Sequence, residues 1–95
     1  MRALPDDVAP YKRTPTFTER SVPSGLLRAH TTKEGAWARI VVLEGKLLYR
    51  VLQPTITEYV LDPATTGIVE PTVPHEVEPL GAVRFFVEFL RLPQS

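Results

Sequence analysis

Ten prolines in 95 residues set the terms on which this chain can fold. A proline ring breaks helix interiors and cannot donate to a central strand ladder. The prolines stand at positions 5, 10, 15, 23, 54, 63, 71, 74, 79 and 93, so the longest stretch without one runs from Ser24 to Gln53. No long segment places its apolar residues at the helical period of about 3.6. Between the prolines the chain is rich in Val, Thr, Leu, Ile and aromatic residues, which suit a pleated surface. Together these features predict an all-β chain of many short strands.

Residues 1–23 carry four of the prolines and few apolar residues. They read as an extended arm, with Thr14–Thr18 pairing at a sheet edge, in front of a barrel over residues 24–95. Within the barrel, strands are expected at Leu26–Thr32, Trp37–Leu43, Lys46–Leu52, Thr55–Leu61, Ile68–Val69, His75–Val77 and Val83–Leu92. Glu44-Gly45 reads as the turn of a hairpin joining the second and third of these, because glycine tolerates positive φ. Alternation puts Trp37, Arg39, Val41 and Leu43 on one face and Ala38, Ile40 and Val42 on the other. In the last strand Val83, Phe85, Val87 and Phe89 share a face. The expected core is Trp37, Val41, Leu47, Tyr49, Phe85, Val87 and Phe89. Short antiparallel strands with frequent turns imply a single-domain sandwich or barrel.

Composition narrows function by exclusion. Eleven Lys and Arg balance eleven Asp and Glu. The field that would attract nucleic acid or an anionic membrane is therefore absent. No cysteine is present, which removes disulfides, thiol catalysis and zinc–thiolate sites. The opening residues have no apolar signal core, and no apolar run approaches a membrane span. A soluble cytoplasmic protein is the expectation. The extended arm and free strand edges further suggest a homodimer.

Two histidines, His30 and His75, are the residues best suited to chemistry. Neutral imidazole binds zinc, iron, copper or nickel, and two imidazoles with a carboxylate can hold one face of an open site. Spacing alone does not separate such a pair from two packed histidines with no shared task. Among the acids, Glu70 ranks first as a third ligand, because Pro71 and Pro74 break the strand parity that would otherwise turn it away from His75. On an unbroken first strand Arg28, His30 and Thr32 share a face, so Arg28 and Thr32 would line the same pocket and suit an anionic or oxygen-rich ligand. As a plain surface charge, Arg28 would serve no such role. No phosphate loop, serine nucleophile elbow, HExxH or EF-hand pattern is found.

The run Val41-Val42-Leu43-Glu44-Gly45-Lys46-Leu47-Leu48-Tyr49 resembles the central hairpin of cupins. More closely, His30-Thr31-Thr32-Lys33-Glu34-Gly35-Ala36-Trp37, followed by Val69-Glu70-Pro71, His75-Glu76-Val77-Glu78 and Arg84-Phe85-Phe86-Val87-Glu88-Phe89, resembles the TehB/YeaR-like family of small cupin-like proteins. The likeness covers roughly residues 13 to 91. It implies a cupin-type antiparallel β-barrel or jelly roll. It also implies a reduced metal site in which His30 and His75 approach each other in the barrel mouth and hold a divalent ion (zinc, iron or nickel) with Glu70. Thr32 stands where a typical metal cupin has its second histidine, so a four-ligand site is not expected. Ala38 and Pro74 also depart from the family's usual glycine and aromatic. The implied function is binding of a small oxygen-rich or oxyanionic molecule in a stress response of the tellurite-resistance type. The other reading is a ligand-binding or interaction domain without metal, related to the domain that precedes the methyltransferase in some members. That methyltransferase activity does not transfer, because this sequence has no Gly-rich cofactor loop.

Overall fold

Glycines at 35, 45 and 81 each take a positive φ and mark turns between successive strands. The computed structural model describes residues 1–93. Its strands are β1 (Ala9–Arg13), β2 (Phe17–Thr18), β3 (Trp37–Glu44), β4 (Leu47–Val51), β5 (Thr57–Leu61), β6 (Gly67–Val69), β7 (His75–Pro79) and β8 (Arg84–Arg91). Among the described residues the only helical element is a 3-10 turn over Ser24–Leu27.

The strands form two antiparallel sheets. One runs β1-β8-β3-β6, with β2 also pairing β8. The other runs β5-β4-β7. The fold class is therefore all-β, and the two sheets enclose a core without joining into a closed barrel. From the larger sheet Ala38, Ile40, Val42, Val69, Phe85 and Val87 point inward; from the smaller, Leu47, Tyr49, Leu61 and Val77 meet them. Each large apolar side chain so buried contributes about 1.5–3 kcal/mol. Tyr49 is buried whole because its hydroxyl donates to the Ile68 carbonyl at 2.9 Å.

Three expectations need correction. The segment Leu26–Thr32 is not a core strand. Pro23 enters the turn with φ −60°, and Leu26 N–H bonds back to the Pro23 carbonyl at 3.0 Å, so the chain curls before it can extend. Trp37 and Val41 lie on the outer face of β3, while Ala38, Ile40 and Val42 face the core. The outer face is fixed by a charged pair: Arg39 sits opposite Glu88 in the β3–β8 ladder, with Arg39 Nε donating to Glu88 Oε1 at 2.6 Å. Finally, β3 and β4 do not pair. The Glu44-Gly45-Lys46 turn carries the chain from one sheet to the other, so β3 bonds to β8 and β6, and β4 to β5 and β7.

The first 23 residues contribute strands. β1 and β2 both add to the edge of β8. Phe17 drops its ring edge-on to Phe85, with centroids 5.7 Å apart.

Candidate functional site

Two backbone hydrogen bonds create the site. His30 N–H donates to the His75 carbonyl at 2.8 Å, and His75 N–H donates back to the His30 carbonyl at 2.9 Å. Directly opposed residues of an antiparallel pair project their side chains to the same face. Both imidazoles therefore point the same way, with ring centroids 5.4 Å apart and planes at 78°. A turn at the end of β6 delivers His75 to this position. Thr72 takes a left-handed φ of 63° there, which is strained for a β-branched residue. Its N–H is held by the Thr32 carbonyl at 3.2 Å.

The two rings border a cavity of about 240 Å³ between the sheets. Ala38, Ile40, Val69, Phe85 and Val87 form its floor, and Val77 and His75 one wall. Phe17, Pro23 and Leu26 close it from the N-terminal side. The remaining polar lining is His30, Thr14 and Thr32, and no charged side chain lines it. His75 lies deeper than His30, at 5% exposure. Its other neighbour is Tyr49, edge-to-face at 5.9 Å. Burial pushes the His75 pKa below its ordinary value; the hydrogen bond to the Val73 carbonyl opposes this, and His30 adds to the lowering. Burial, followed by the nearby Glu70 and Tyr59, raises the pKa of the Tyr49 hydroxyl, which stays protonated.

His30, His75 and Thr32 are thus brought together at one cavity. Arg28 is exposed and lies outside the lining, on the loop after the 3-10 turn. Glu70 goes elsewhere as well. It opens onto a separate groove with Tyr49, Tyr59 and Arg2, where its Oε1 is 3.1 Å from Arg2 Nε. That oxygen is shielded from solvent and lacks an aligned donor. Sequence reasoning missed Thr14, Phe17 and Leu26 as lining residues. They come from segments read as an arm and as a strand, and only the fold brings them to the cavity.

A model of the TehB-like domain family matches residues 12–87. The chain belongs to the TehB-like domain family. A probable S-adenosyl-L-methionine-dependent methyltransferase, TehB, of Haemophilus influenzae is 35% identical over 75 residues, which is 75% of this chain and 26% of that protein. The crystal structure of Haemophilus influenzae TehB superposes with a TM-score of 0.85 at 29% identity, over 92% of this chain and 32% of TehB. A protein from Escherichia coli K12 shares the fold end to end, with a TM-score of 0.89 at 18% identity over 99% of this chain and all of its own. The chain spans about a quarter of the length of the curated relatives it matches.

These findings overturn the divalent-metal expectation and the metal-binding cupin function built on it. The curated relatives are named for S-adenosyl-L-methionine, not for zinc, iron or nickel. Among the described residues no three His, Asp or Glu side chains gather to hold an ion. The intended third ligand, Glu70, faces Arg2 in another groove. The cavity does not fit S-adenosyl-L-methionine either. That molecule carries a carboxylate, an ammonium and a sulfonium, and a small cavity without charged lining gives none of them a partner. No helix of the described residues is long and apolar enough to cross a membrane.

Proposed function

We propose that this domain is a non-catalytic, small-molecule-binding module that serves S-adenosyl-L-methionine-dependent methyl transfer. It holds a small, largely apolar ligand between its sheets, and a separate module binds the methyl donor. The observation that carries this is the apolar cavity of about 240 Å³ with two imidazoles at its rim. A pocket of this kind, mostly apolar with a few convergent polar groups, is the usual form of a small-ligand site. Membership of a family whose curated relatives are named methyltransferases supplies the reaction it would serve. The oxyanionic ligand expected from Arg28 has no support in this cavity, since Arg28 lies outside it. A cytoplasmic location belongs to the same reading. So does a homodimer, for which the outermost strand β5 and its exposed Val60 offer an edge.

Backbone amide NMR tests the reading. Benzene should perturb the amides of Ala38, Val69 and Val87, and S-adenosyl-L-methionine should perturb none of them. Saturable binding of S-adenosyl-L-methionine to the isolated domain would overturn the division of labour. A cavity indifferent to benzene would overturn the ligand site.

A further inference from the structure

Of the four polar side chains that line the cavity, Thr14, Thr32 and His75 have their hydrogens committed, and only the ring N–H of His30, nearer the surface, has no protein partner among the described residues. The Thr14 hydroxyl donates to the Pro15 carbonyl at 2.9 Å and accepts from Val87 N–H at 2.9 Å. The Thr32 hydroxyl donates to the Ala36 carbonyl at 2.7 Å. His75 Nδ1 lies 3.0 Å from the Val73 carbonyl. A carbonyl can only accept, so Nδ1 carries the ring hydrogen and Nε2 is left as a bare lone pair. Among the described residues Nε2 has no protein partner and is not sealed from solvent, on a ring that lines the cavity. His30 stands nearer the surface and also borders the outer groove with Tyr11 and Lys33.

From this committed set of hydrogens we infer that the cavity selects a small neutral molecule with one hydrogen-bond donor on an apolar body, and that His75 Nε2 receives that donor. This rests on the reading of the cavity as a ligand site. An anion would meet no cation and at most the single N–H of His30, and an ammonium would be desolvated without a carboxylate; both are costly. A plain hydrocarbon would leave Nε2 stripped of water and unpaired.

The choice bears on methyl transfer. When an X–H acceptor is methylated by a sulfonium donor, the S–C bond breaks, an X–C bond forms and the proton on X is released. The donor hydrogen that His75 would read is the one the reaction removes. A cavity that reads this hydrogen distinguishes an X–H molecule from its methylated form.

Four one-ring probes separate the possibilities, and an apolar cavity of about 150 Å³ already admits benzene. Phenol carries the donor, anisole is its methylated form, toluene has no polar group, and benzoate is an anion. Amide NMR titration of the full chain should show phenol binding about tenfold or more tighter than anisole or toluene, with benzoate excluded. His75→Phe should bring phenol down to the level of toluene. Nitrogen-15 labelling of the histidines in the wild-type chain gives a second readout that does not depend on that variant folding. Phenol should shift the Nε2 resonance of His75, and toluene should leave it in place. Equal binding of phenol, anisole and toluene, or tighter binding of benzoate, would overturn the inference and leave the ligand site standing. If none of the four binds at millimolar concentration, the ligand site falls with it.

Discussion

His75 is a base held where a proton is hard to accommodate. Its ring is packed between Tyr49 and His30, and burial depresses its pKa below the usual 6.5. The unfolded chain takes up a proton at the ordinary value, the folded chain only at a lower one. The stability this gives is complete above the unfolded pKa and is lost as pH falls through the depressed folded value. The urea midpoint of the wild-type chain should drop as the pH is lowered from about 7.5, and His75→Gln should lessen the drop. Equal losses in both proteins would show that the ring titrates freely. At this scale the histidine pair was legible in the sequence through its likeness to a known pattern. Glu70 was not, because a left-handed residue at Thr72 lies between it and His75. Two prolines flag a break in the strand and leave its direction open.

At the scale of elements, the turn at Gly45 decides the architecture. Its φ is +79°, and a Cβ there would come within 2.1 Å of the Ala82 carbonyl oxygen. Gly35 has nearly the same φ, +78°, with nothing within 4 Å. Gly35→Ala should cost about 1 kcal/mol, the penalty of a left-handed alanine. Gly45→Ala adds a collision with backbone and should cost more than about 3 kcal/mol. Urea denaturation of the two variants checks the difference, and similar losses would mean that the Gly45 turn yields. The same turn explains what alternation cannot reveal. Strand positions from Trp37 onward were readable within a residue or two, but a hairpin and a crossing between sheets ask for the same glycine. The face of β3 was misread because Trp37 and Val41 outweigh Ala38 in apolar bulk. Arg39 carried the better signal, since it needs a partner and finds Glu88 on the outer surface.

For the whole molecule, β8 is the strand on which the larger sheet depends. It pairs β1, β2 and β3, and Phe85 near its start is wholly buried. Removing residues 1–18 strips one edge of β8 and takes Thr14 and Phe17 from the cavity. The truncated chain should lose both urea resistance and the binding of apolar probes. If both survive, β1 and β2 are dispensable additions to a core that stands without them.

Because β8 follows all of its partners in the chain, a ribosome releases it after every strand it pairs with. Until Arg84–Arg91 clears the exit tunnel, β1, β2 and the inner edge of β3 have nothing to bond to. The larger sheet, and with it the floor of the cavity, can therefore be completed only once synthesis has passed Arg91.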